Sequence, residues 1–149
     1  MLVKLNTWNY KTTNDFIDYL DFHDCIVEKI IIEKDLLIID FEFVYVSEKH
    51  PINPYGVAKS TDRCRLTFNE VESSSAIIYF DEDKEKVVPI ADLAEMEILG
   101  FKSKPLERYF LFEMFGTDWR THQFCGIKVK AKNFTLQWNK FDEDAWYVK

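Results

Sequence analysis

Two apolar runs separated by two polar residues constrain this chain more than anything else in it. Cys25 to Glu33 is β-branched and apolar, and Lys34-Asp35 interrupts it. Leu37, Ile39, Phe41, Phe43 and Tyr45 then recur at every second position, with Leu36, Ile38, Asp40 and Glu42 between them. Side chains alternate sides along a strand, so this period puts the first set on one fully buried face and the second on a mixed one. The pair reads as a β-hairpin turning at Lys34-Asp35. A lone hairpin cannot keep such a face out of water, so more sheet must cover it.

The rest of the chain supplies that cover. Cys64, Leu66 and Phe68 alternate with Arg63, Arg65, Thr67 and Asn69, and Ala76 to Phe80 forms a further strand. Tyr109, Leu111 and Phe115 alternate with Phe110, Phe112 and Met114, apolar on both faces as in a central strand, until Gly116-Thr117-Asp118 breaks the run. Ile127, Val129 and Ala131 alternate with Lys128, Lys130 and Lys132, where outward lysines would guard a sheet edge. Lys132-Asn133 turns the chain into Phe134, Leu136 and Trp138. Thr12-Thr13-Asn14 offers caps for a short helix over Asp15 to Asp21, with Phe16, Ile17 and Leu20 on one face, and Ile90 to Met96 has the composition of a second. Ser47 to Thr61, with Pro51, Pro54 and Gly56, reads as the longest loop, and Asp81 to Lys86 as a solvated charged turn. The expected fold is α+β and mostly β: an antiparallel sheet or sandwich with a short N-terminal helix and one short internal helix, in a single β-rich domain over residues 1–149. The 13 phenylalanines among 149 residues agree with a pleated, half-buried surface.

Charge and motif content narrow the function. The formal net charge of −7 opposes nucleic-acid binding and favours a basic partner. Arg63, Arg65, Lys128, Lys130 and Lys132 would form one cationic patch only if their strands were neighbours. Cys25, Cys64 and Cys125 lack disulfide or zinc spacing and read as packed thiols in a reducing compartment. Met1 to Asn6 has no apolar signal core, and no run approaches the ~20 residues that span a bilayer, so the expectation is a cytoplasmic protein with no membrane association. There is no nucleophile elbow, and the four glycines never cluster into a phosphate loop. His23, His50 and His122 are scattered. No catalytic residue, metal or cofactor is expected, and the chain reads as a non-enzyme.

The candidate partner-binding residues are Asp15, Asp18, Asp21, His23 and Asp24. Carboxylates at a spacing of three repel one another and gain little for folding, whereas against a cationic surface they steer and pair. The 47–61 loop is a second candidate contact. Phe22-His23-Asp24-Cys25-Ile26, then Ile30, Ile32 and Leu36 to Phe41, then Tyr109 to Glu113, Gly126 to Val129 and a strand ending in Trp138, resembles small bacterial domains in which a hydrophobic-His-Asp step opens a β-hairpin. Many of these are similar to immunity proteins of polymorphic toxin systems. The resemblance runs over roughly residues 20 to 140 and implies stoichiometric neutralisation of a cognate toxin domain with a basic surface. It carries His23 and Asp24 over as a motif without an assigned role; closing a turn by a hydrogen bond to the backbone is the local alternative. Two other readings stay open. One is a small-ligand-binding protein or enzyme with an aromatic-lined pocket near His23. The other is a subunit of a homo-oligomer anchored by Trp119, Trp146 or Tyr147, unless Asp142 to Tyr147 is a disordered tail.

Overall fold

A computed structural model describes residues 7–81 and 84–148. In chain order the strands are β1 (Tyr10–Thr13), β2 (Leu20–Asp21), β3 (Val27–Glu33), β4 (Leu36–Phe41), β5 (Tyr45–Val46), β6 (Lys59–Thr61), β7 (Cys64–Asn69), β8 (Ser73–Phe80), β9 (Lys84–Val88), β10 (Met96–Pro105), β11 (Phe110–Asp118), β12 (Gln123–Ala131), β13 (Asn133–Trp138) and β14 (Phe141–Asp144). They form a five-stranded sheet in the order β1-β13-β7-β4-β3, a second in the order β10-β11-β12-β8-β9, and a four-stranded sheet in the order β14-β6-β5-β2. Every ladder between these strands is antiparallel.

The predicted hairpin is β3–β4, with Glu33 opposite Leu36 across Lys34-Asp35. Leu37, Ile39 and Phe41 are buried, and Leu66, Phe68, Phe134 and Leu136 extend that face across β7 and β13. The second sheet answers with Ile78, Phe112, Met114, Ile127 and Val129. Phe112 bridges the two, its ring centroid 5.2 Å from Phe68 and 5.5 Å from Phe134. The two large sheets therefore pack as a sandwich. Removing each such ring from water stabilises the fold by about 2–3 kcal/mol before entropy is counted.

The α-helices are not there. Among the described residues the helical segments are two short 3-10 turns, Asn14–Tyr19 and Ile90–Leu93. Thr13 caps the first, its hydroxyl accepting from Asp15 N–H at 3.3 Å. Phe16 has non-helical dihedrals, Asn14 is committed to accepting from Phe134 N–H at 2.9 Å, and Leu20 is already extended opposite Val46. In the second, Ile90 and Leu93 are both buried, the spacing of a 3-10 turn rather than an α-helix. Met96 is then the first residue of β10, a ten-residue strand that the helix-forming composition concealed. A register shift between Ile98 and Gly100 moves the inward side from Met96 and Ile98 to Phe101, which destroys the alternation that would reveal it.

Four further expectations change. Gly116 does not end its strand: β11 runs to Asp118, and a Cβ at Gly116 would collide with the Glu97 carbonyl oxygen across the ladder. The run Leu37 to Tyr45 breaks after Phe41, and Tyr45-Val46 joins the small sheet. Lys128 and Lys130 guard no edge, since β12 is paired on both sides. Asp142 to Tyr147 is not a loose tail: β14 pairs with β6, and Ala145 N–H donates to Ala58 O at 2.9 Å. Met1 to Asn6, and Glu82 and Asp83 of the charged turn, lie outside the described residues. No helix among the described residues is long and apolar enough to cross a membrane.

Candidate protein-binding surface

Phe22 to Cys25 is a tight turn, closed by Cys25 N–H donating to Phe22 O at 3.0 Å. Phe22 and Cys25 point into the core, with Phe22 edge-on to Phe41 and Phe101 at 5.5 and 4.9 Å. Asp24 adopts φ +68°, a conformation Asp tolerates better than most residues, and donates its N–H to Ile98 O at 2.8 Å. Cys25 O accepts from Ile98 N–H at 2.8 Å, so the turn is stitched to β10 on both sides. The side chain that closes it is Asp21, whose Oδ1 accepts from His23 N–H at 2.8 Å. His23 and Asp24 pair with each other at 3.1 Å, each about half exposed. The motif marks a chain reversal.

The small sheet brings Asp21 into one layer with a second acidic segment. Asp15 and Asp18 are exposed on the 3-10 turn, and Asp21 lies in β2 opposite Tyr45 of β5. At the other edge, Asp142, Glu143 and Asp144 of β14 line a cleft of about 450 Å³ with Glu42, Phe43, Tyr45 and Trp146. Tyr147 joins the two halves, its ring 5.9 Å from Tyr45 and 5.6 Å from Trp146. Burial, then the negative charges of Asp21 and Glu48, push the Tyr147 phenol up. Burial, then Cys25, Asp24 and Asp21, does the same to Tyr45. One basic group intrudes: Lys59 Nζ meets Asp144 Oδ1 at 2.8 Å and lies over the Tyr55 ring. Trp146 is 70% exposed at the rim. The result is a carboxylate-rich cleft with large rings at its mouth, suited to guanidinium and ammonium groups.

Of the predicted site residues, Asp21 and Asp24 lie close enough to act on the Tyr45 phenol and His23 pairs with Asp24, whereas Asp15 and Asp18 are exposed on the preceding 3-10 turn and do not line the cleft. Glu42 and Tyr45 are brought in only by the crossover between sheets. The 47–61 loop is anchored: buried Asn53 donates to Val46 O, Ser47 O and Val57 O at 3.1, 3.3 and 2.9 Å. His50 is buried beneath it. Its Nδ1 accepts from Ile52 N–H at 3.1 Å, so the ring proton sits on Nε2 and faces Thr12 Oγ1 at 2.7 Å. Burial lowers its pKa.

Other chemistry is dispersed. The three cysteines are buried, and burial pushes every thiol up, that of Cys125 to about 12, so none is a thiolate at neutral pH. His122 sits against Trp119, with ring centroids 5.9 Å apart. Among the described residues no three His, Cys, Asp or Glu side chains converge to hold a metal ion. The five cations do not form one patch. Arg65 is held bidentately by Asp40 at 2.8 and 3.0 Å and Arg63 pairs with Glu28 at 3.2 Å, both beside β7, whereas Lys128 and Lys130 lie on the second sheet. An aromatic-walled hollow does exist, but on the outer face of the second sheet, and His23 does not line it. No family model, curated protein or solved structure shows a significant match to the chain.

Proposed function

We propose that the chain is a non-catalytic binding protein that neutralises a cognate bacterial toxin by forming a stoichiometric complex in the cytoplasm, the role implied by its resemblance to immunity proteins. The supporting observation is the small sheet, which gathers two acidic segments far apart in sequence around Trp146 and Tyr147. Carboxylates held this close weaken a fold; facing a basic partner they steer the encounter and pair across the interface. Exposed Trp and Tyr inside such a ring are the residue types that carry most of the energy at protein interfaces. The partner is a toxin domain with a basic surface.

The test is co-expression with a candidate toxin domain of basic surface taken from the genes that flank this one. The chain restores growth and co-elutes with the domain at a ratio of one to one. Replacing Asp15 and Asp18 by Asn slows association and flattens its dependence on salt. No rescue together with no complex at micromolar concentrations removes the proposal.

A further inference from the structure

The outer face of the second sheet holds a trough of about 480 Å³ that owes its shape to two missing side chains. Gly100 of β10 and Gly126 of β12 flank Phe115 in one cross-strand row that continues to Ile77. Gly100 follows the register shift after Ile98, where a bulge can itself favour glycine, but neither position demands one by dihedral angle or crowding. Neither has a left-handed φ. A Cβ at Gly100 meets nothing within 4 Å, and one at Gly126 makes only ordinary contacts, 3.4 Å from Met114 O and 3.7 Å from the Tyr79 hydroxyl. In this they differ from Gly116, which steric crowding dictates. A glycine inside a strand weakens it and often marks the close approach of another group. Two such positions in one row, with no steric or dihedral demand at either, indicate space kept for an occupant.

The surroundings define its chemistry. Tyr79, Phe115 and Ile77 wall the trough, and Phe124 stacks on Phe115 at 5.5 Å. Phe115 and Phe124 are both about half exposed. In the adjacent row Lys102, Glu113, Lys128 and Ser75 stand side by side. Lys102 Nζ is 3.6 Å from Glu113, while Lys128 makes no ion pair with a described residue. Two ammonium groups about one carboxylate leave this end positive in a chain of net charge −7.

We propose that the trough binds a small apolar carboxylate. Its rings or hydrocarbon lie on Gly100 and Gly126 against Phe115 and Tyr79, and its anionic end is held by Lys128 with Lys102. The volume falls within the usual range of small-molecule sites, and a carboxylate gives Lys128 a charge-assisted partner. This site is separate from the acidic surface and does not depend on the toxin reading.

The test uses 2-naphthoate titrated into the full chain, with the Gly100 and Gly126 amide resonances as readout and 2-naphthamide as the uncharged control. Both glycines shift saturably with naphthoate, and naphthamide binds at least about tenfold more weakly. Gly100→Val fills the trough, leaves the melting temperature unchanged or raised, and weakens naphthoate by at least about tenfold; Gly126→Ala serves if that variant does not fold. Lys128→Gln weakens naphthoate without weakening naphthamide. The proposal is overturned by an absence of saturable shifts, by unchanged affinity in the filled variant, or by equal affinity for the two probes. A concentration-dependent mass that Gly100→Val abolishes would assign the trough to a second copy of the chain and overturn it equally.

Discussion

Asp24 offers a graded test of what the His-Asp step does. At φ +68° an ordinary L-residue costs about 1–2 kcal/mol relative to glycine, and Asp escapes part of that through local hydrogen bonding. The backbone bond from Asp24 N–H to Ile98 O, 2.8 Å, survives any substitution other than proline. The His23–Asp24 pair is about half exposed on both sides, so its loss contributes a few tenths of a kcal/mol at most. Asp24→Gly relieves the strain but loosens the unfolded chain, leaving stability within about 0.5 kcal/mol of the parent. Asp24→Ala loses about 1 kcal/mol, and Asp24→Val about 2 kcal/mol because its branched side chain fits the left-handed region worst. Urea unfolding at pH 7, with unchanged m values, should rank Gly beside Asp, then Ala, then Val. Ala matching or exceeding Gly would refute the claim that backbone geometry selects this residue.

Other consequences are as direct. Gly116→Ala, which drives a Cβ into the Glu97 carbonyl, should cost about 1–3 kcal/mol in the same assay. His50 binds a proton less readily folded than unfolded, so stability is full above the unfolded pKa of about 6.5 and declines as pH falls below it. Denaturation at a series of pH values should show a shallower decline in His50→Gln. The thiols of Cys25, Cys64 and Cys125 should resist a disulfide-exchange reagent at pH 8 in the native protein and react fully in urea; rapid native labelling would contradict their burial.

Much of the sandwich was legible because its strands follow the period-2 rule without interruption. Phe134, Leu136 and Trp138 face inward as their spacing predicts, and so do Cys64, Leu66 and Phe68. β10 was not legible. A bulge inverts its alternation halfway, and Ala94-Glu95-Met96-Glu97 carries helix-forming residues into an extended segment. The N-terminal segment misled for a related reason: local propensity proposed a helix, while Asn14 and Leu20 were already spoken for by β13 and β5. The acidic segment was visible as a local series of Asp residues, and Asp142 to Tyr147 as a run ending in two rings. That they share one small sheet rests on pairings of β2 with β5 and β6 with β14, each too short to leave a periodic trace. The trough left a sequence signal only as two glycines inside apolar strands, which is indistinguishable from a turn until the ladder is known.

The acidic surface stands or falls on Trp146, which is 70% exposed and therefore removable without disturbing the core. The dissociation constant for the toxin domain of the proposed function, compared between the parent chain and Trp146→Ala at one salt concentration, is the most direct measurement. A rise of at least about thirtyfold, equivalent to about 2 kcal/mol, is predicted for an anchor at the mouth of the cleft. Equal constants for two equally stable proteins would contradict binding at this surface.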